Sequence, residues 1–153
     1  MRLALATFGL CGLALIAGCD DAAPTAQQAP ANSGPRIILF NITSGAEEDP
    51  HAVTMALQLA GHALDDGRSV VLFFNVRGVG VPTAALPEDL AFHEKPIKQL
   101  LANLMQRGAE AHVCPHCMAA LEIGEEDLMA GAVVTNREQL FAKLGPNTNV
   151  FTY

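Results

Sequence analysis

The segment AEAHVCPHCMAAL, residues 109–121, holds Cys114 and Cys117 with two residues between them and His112 and His116 alongside. Sulfurs at that spacing can close a disulfide, supply half of a tetrahedral zinc site, or act as reactive thiols. The residues up to Cys114 favour a strand, and Pro115 suits the first turn of a helix. Cys114 is then the last residue of a strand, with Cys117 in the turn that follows. A helix N-terminus carries partial positive charge, which favours a thiolate and lowers a thiol pKa; His116 beside the pair adds to it. Cys114, Cys117 and His116 are therefore the candidate reactive residues.

Each alternative chemistry makes its own demands. A disulfide here closes only a tiny loop and restrains the unfolded chain little, although an oxidising compartment still favours a paired resting state. Structural zinc wants four ligands, and no second CxxC is present. His112 shares a strand face with Cys114 and could contribute a ligand, but the expectation is no metal and no cofactor. Haem attachment needs CxxCH, and Met118 stands in the histidine's place. The tetrad Cys-Pro-His-Cys resembles the active site of the strongly oxidising periplasmic members of the thioredoxin superfamily. After its motif that fold needs roughly 65 further residues, whereas 36 follow Cys117. No Val-Pro or Thr-Pro occurs downstream to supply its cis-proline. The tetrad is shared; the fold around it is not.

The compartment bears on the choice. MRLALATFGLCGLALIAGC has one positive charge at Arg2, an apolar run from Leu3 to Ile16, and small residues before Cys19. That is the pattern of an export signal, and the run is shorter than the about 20 residues of a spanning helix. LIAGC resembles the lipobox of bacterial lipoproteins, which implies cleavage after residue 18 and lipid attachment at Cys19. Asp20 and Asp21 resemble the inner-membrane retention signal of enteric bacteria. The expected location is the bacterial cell envelope, lipid-anchored on the periplasmic side. Residues 20–35, DDAAPTAQQAPANSGP, are small, polar and proline-broken, as in a flexible tether. The expected organisation is a signal at 1–18, a lipidated cysteine and tether at 19–35, and one domain at 36–153. Cys11 leaves with the signal and Cys19 takes the lipid, so thiol chemistry in the domain belongs to Cys114 and Cys117. The net charge is −7; Arg2 is the only charged residue in 1–18, so its removal gives −8. With no Lys/Arg cluster to neutralise phosphates, nucleic acid is excluded as a partner.

Strands and helices alternate along the domain. RIILFNI, 36–42, is a β-favouring run of the kind buried on both faces, which suggests a parallel sheet. Asp49 and Pro50 supply a helix cap and first-turn proline. Val53, Ala56, Leu57, Ala60 and Leu64 form one helical stripe; Met55, Leu59 and Ala63 form a second. Such a helix packs on both the sheet and a neighbour. After Gly67, SVVLFFNV at 69–76 is a second buried strand. RGVGVPTAALPEDLAFHE is a long loop with a helical turn at 88–92; its RGVGVP lacks the GxGxxG pattern for nucleotides and bends over the strand edge. Ile97, Leu100, Leu101, Leu104 and Met105 mark an amphipathic helix ended by Gly108. AEAHVC is a third strand, the segment to Leu121 a short helix stopped near Gly124, and GAVVT a fourth strand. Thr135 and Glu138 have capping-box spacing for a helix through Leu144, and NVFTY is a last strand. An open α/β layered sandwich follows, with a mostly parallel sheet of about five strands. Asn41 and His51 fall near the sheet edge that carries the cysteines, with capping or surface roles expected, and His62 reads as a packed or boundary residue. Met105, Met118 and Met129 read as core.

In that order of features the chain resembles the DsrE/DsrF-like proteins, small α/β proteins linked to sulfur transfer. The resemblance rests on ILFNITSGAEEDPHAVTMALQLAGHALDDGRSVVLFFNVRGV at 38–79 and VCPHCMAALEIGEEDLMAGAVV at 113–134. It implies a flavodoxin-like layered sheet, a homo-oligomer, and a cysteine, Cys114 or Cys117, that accepts a persulfide and hands it on. The implied function is a membrane-tethered, periplasm-facing protein handling sulfur or thiol/disulfide exchange. The implied partners are a sulfur donor or acceptor protein, or a small sulfane or thiol species. A paired cysteine and a lipid tether both depart from single-cysteine cytoplasmic relays. The second reading, from another class, is a non-enzymatic binding module acting through an oligomer surface or a metal held by the Cys/His cluster.

Overall fold

The computed structural model describes residues 36–153; the signal, Cys19 and the tether lie outside the described residues. Five strands form one sheet: β1 (Ile37–Ile42), β2 (Ser69–Phe74), β5 (Glu110–Val113), β6 (Ala132–Val134) and β7 (Thr148–Thr152). Their order is β6-β5-β2-β1-β7, and every neighbouring pair is parallel. Four helices connect them: α1 (Pro50–Asp65), α2 (Ile97–Gln106), α3 (Pro115–Ala120) and α4 (Arg137–Ala142). The α/β layered fold expected from the alternating elements is the fold observed.

Local chemistry sets the element ends. Asp49 caps α1 by accepting the Ala52 N–H at 2.9 Å, Pro50 occupies the first turn, and Gly67 turns the chain out with φ +71. Ile38, Phe40 and Ile42 of β1 lie in register with Val70, Leu72 and Phe74 of β2. These six are buried in one core with Val53, Ala56, Leu57 and Ala60 of α1 and Leu101 and Leu104 of α2. Each large apolar side chain so buried contributes about 1.5–3 kcal/mol relative to exposure, so this face holds most of the stability. Leu39 and Val71 are in register on the other face and are buried outside that core. There α4 carries the chain from β6 at one edge to β7 at the other. Its C-cap Lys143 reaches Glu110 of β5 at 2.8 Å.

Several boundaries differ from the sequence reading, each for a local reason. The second strand stops at Phe74 because Val76–Gly80 winds into a 3-10 turn. No helical turn forms at 88–92; instead Ala91–Phe92 (β3) and Lys95–Pro96 (β4) make a small antiparallel hairpin. The short helix after the cysteines ends at Ala120, and Glu122 at φ +55, ahead of Gly124, takes the left-handed conformation. The capping box of α4 is made by Asn136 and Gln139 in place of Thr135 and Glu138, because Thr135 is turned inward toward a histidine. His62 is exposed, 3.8 Å from Asp65, where a packed or boundary position was expected. Met118 is core, and Met105 and Met129 pack half-buried against it.

Candidate functional site

Strand β5 ends at Val113, and Cys114 becomes the N-cap of α3 with φ −74 and ψ 116. Its backbone is fixed on both sides. The Cys114 N–H donates to the Phe74 carbonyl at 2.9 Å, and the Cys114 carbonyl accepts the Met118 N–H at 3.0 Å. Cys117 follows in the first turn. Met118 is buried in the core while Pro115 and His116 are exposed, so the helix is anchored by one residue and shows its opposite side to solvent. Both cysteines are free thiols of intermediate exposure, packed at the rim of the core. The carboxyl end of a parallel strand is where loops and helix starts converge into sites in α/β folds.

A second loop meets them there. Immediately after β2 the Val76 N–H donates to Cys117 Sγ at 3.1 Å. Val76 holds φ +51, a conformation that for a β-branched residue costs on the order of 1–3 kcal/mol and must be held by its surroundings. The holding bonds all lead to the end of β1. The Asn75 N–H donates to the Ile42 carbonyl at 3.0 Å, and the Arg77 and Gly78 N–H groups donate to the Thr43 carbonyl at 3.2 and 3.1 Å. The Asn75 side-chain amide donates to Asn41 Oδ1, and the Asn41 amide donates in turn to Thr152 Oγ1 at 3.4 Å. At Gly78 a Cβ would stand 2.2 Å from the Ile42 carbonyl oxygen; only glycine lets the turn approach so closely.

The electrostatics differ from the helix-terminus argument. Burial pushes the Cys117 thiol up, the Val76 N–H acts against it, and the neighbouring Cys114 pushes it further up. The lowered pKa expected of Cys117 is therefore corrected to a raised one. Helix α3 has six residues, and desolvation outweighs what so short a helix supplies. His116 is not among the groups that shift Cys117. His112 is buried on the sheet's second face, with Nδ1 3.1 Å from Thr135 Oγ1 and Nε2 3.2 Å from Glu110 Oε2. Glu110 also accepts from Lys143, whose hydrogen bond holds its carboxyl below the usual range despite some burial; His112 adds to that lowering. Glu110 thus ties the C-cap of α4 to β5, and His112 ties the segment before α4 to the same strand. Among the described residues no group of three His, Cys, Asp or Glu side chains is placed to hold a metal. His51 stacks on Phe92 with ring centroids 4.3 Å apart.

A cleft of about 260 Å³ opens beside the Val76 turn, lined by the Gly45–Glu48 loop, Arg77, Gly80 and Leu121 among others; neither cysteine is in its wall. Arg77 and Glu48 pair across it at 2.8 Å. The structure thus brings Cys114, Cys117 and the Asn41–Asn75 pair to one sheet edge and leaves His116 on the solvent side. Val76 is the participant that residue types could not reveal, because it acts through its backbone. Its signal was indirect: the closely spaced glycines of RGVGVP mark a turn that must come near another chain segment.

The DsrE/DsrF-like family model matches residues 37–153, and the chain belongs to that family. At the family level it is a small protein of sulfur-relay type. The chain is 34% identical over 98 residues to uncharacterized protein MJ0989 of Methanocaldococcus jannaschii, covering 64% of this chain and 83% of that one. Among solved structures, the ychN protein from E. coli superposes with a TM-score of 0.64 at 15% identity, over 78% of this chain and 100% of that one. MTH1491 from Methanobacterium thermoautotrophicum, of unknown function, gives 0.61 at 13% identity, over 77% and 99%. At such identities the likeness is one of fold.

Proposed function

We propose that the protein is a carrier of sulfane sulfur that works by thiol and disulfide exchange at Cys114 and Cys117 in the bacterial cell envelope. The observation that carries this reading is two free, half-buried thiols within one helical turn at the carboxyl end of β5, one of them bonded by a strained amide. A cysteine thiolate attacks the outer sulfur of a persulfide R–S–SH, a new S–S bond forms, and R–S⁻ leaves and takes up a proton. The carrier's persulfide is then attacked by an acceptor thiolate, which takes the outer sulfur and returns the cysteine. The donor and acceptor are small sulfane or thiol species, or partner proteins presenting such a group. His116, exposed beside the pair, is the proton-handling candidate.

Lipid attachment at Cys19 holds the domain at the membrane, facing the periplasm. Cys19→Ala is expected to move the protein from the membrane fraction to the soluble one, and equal membrane recovery of that variant would remove the anchor from the account. The apolar second face of the sheet supports assembly into a homo-oligomer.

Mixing the reduced protein with a persulfide donor and an acceptor thiol tests the chemistry. Transfer is expected with the parent and is expected to vanish in the Cys114→Ser, Cys117→Ser double variant. Equal transfer in both would favour a binding module without covalent chemistry.

A further inference from the structure

The two sulfurs are not equivalent, and the difference lies in the backbone that faces them. Cys117 Sγ accepts the Val76 N–H at 3.1 Å. Cys114 makes no capping hydrogen bond with its side chain. The donor belongs to a left-handed β-branched residue whose neighbours Asn75, Arg77 and Gly78 are tied by four hydrogen bonds to Asn41, Ile42 and Thr43 at the end of β1, beside a glycine that leaves no room for a side chain. Strain maintained in this way, with its one amide aimed at a sulfur, is the kind that accumulates where a loop has a positioning task.

We propose that the Val76 turn is a positioning device that makes Cys117 the resolving thiol, with Cys114 the sulfur that takes up the external sulfane atom. This rests on the sulfur-carrier reading above. The Cys114 thiolate attacks R–S–SH, binds the outer sulfur as Cys114–S–SH, and releases R–S⁻. Cys117 gives its proton to solvent and attacks Cys114 Sγ. The bond to the outer sulfur breaks, HS⁻ leaves, and Cys114 and Cys117 are joined as a disulfide. The two thiols lose the two electrons that the sulfane sulfur gains, and a dithiol reductant restores the pair. Burial favours the protonated form of Cys117, which slows its attack on the loaded Cys114. The Val76 N–H supports its thiolate when it must attack, as hydrogen bonds to the charged form do.

The test replaces Val76 in the full chain by its α-hydroxy acid, so that one N–H becomes an ester oxygen while the side chain is kept. Alkylation of each cysteine is followed against pH by mass spectrometry. The Cys117 profile is expected to move to higher pH, with at least about tenfold less thiolate at a fixed neutral pH, and the sulfane adduct on Cys114 to live correspondingly longer. Val76→Asn keeps the N–H and suits the left-handed backbone; it is expected to rescue the parent profile. An unmoved Cys117 profile in the ester variant overturns the proposal. Should the ester variant not fold, the single serine variants still decide: Cys117→Ser should accumulate sulfane on Cys114, and accumulation on Cys117 in Cys114→Ser instead overturns the assignment. The alkylation profiles need no donor, so a parent that takes up no sulfane sulfur refutes the carrier reading while the role of the Val76 amide is judged separately.

Discussion

Cys117 and Glu110 illustrate how the same sheet moves two acids in opposite directions. Cys117 is pushed up mainly by burial, so the folded state holds its proton more tightly than the unfolded chain. Its contribution to stability is complete below the unfolded thiol range, about 8.5, and is lost as pH rises from there through the folded value. Alkylation of reduced Cys117 should accordingly lag that of a model thiol at neutral pH and catch up in alkali; equal rates throughout would contradict the burial argument. Glu110 is held low by Lys143, with His112 helping. Its stabilisation is present above the unfolded carboxylate range, about 4.3, and disappears as pH falls through the folded value. Denaturant unfolding of Glu110→Gln should therefore show a shallower loss of stability between about pH 5 and pH 3 than the parent. The cysteines were legible in the sequence because CxxC is a pattern of residue types. The Val76 amide was not, since every residue but proline carries an N–H and only the fold aims it.

Among elements, the 3-10 turn at Val76–Gly80 and helix α4 carry the sharpest expectations. Gly78→Ala forces a Cβ to within 2.2 Å of the Ile42 carbonyl oxygen, so the turn must shift. A loss of about 1–3 kcal/mol in urea denaturation is expected, together with a changed Cys117 alkylation rate; an unchanged protein would show the close approach to be slack. Asn136 caps α4 through the Gln139 N–H at 2.8 Å, and Gln139 reciprocates to the Asn136 N–H at 3.0 Å. Asn136→Ala should cost about 1 kcal/mol. The first cap, Asp49 before Pro50, was readable because both residues signal a helix start. The cap of α4 was misplaced by one residue because Thr135, equally suited by type, is drawn to His112 by a long-range hydrogen bond. The hairpin at 91–96 was missed for a similar reason: its turn uses His93 and Glu94 at φ +47 and +59, where Asn-Gly would have announced it.

For the whole described domain, the alternation of strands and helices sufficed to predict a parallel layered sheet, whereas strand order is set by long-range pairing and had to be observed. That order leaves the two faces unequal. Helices α1 and α2 seal one face, but the other has α4 alone, with Val133, Phe141 and Val150 exposed. Val133 is in register with His112, and Val150 with Leu39, so both strand residues belong to that thinly covered face. If this surface joins copies of the chain, Phe141→Asp combined with Val150→Asp should lower the mass found by sedimentation to that of a monomer; an unaltered mass would place the contact elsewhere. The proposed chemistry of the whole molecule is uptake of sulfane sulfur by the thiols at the end of β5. The most direct measurement is mass spectrometry of the reduced, folded protein after exposure to a persulfide donor. An added mass of about 32 Da on one cysteine of the pair, removable by a dithiol, is the expected result. Two unmodified thiols after that exposure would contradict it.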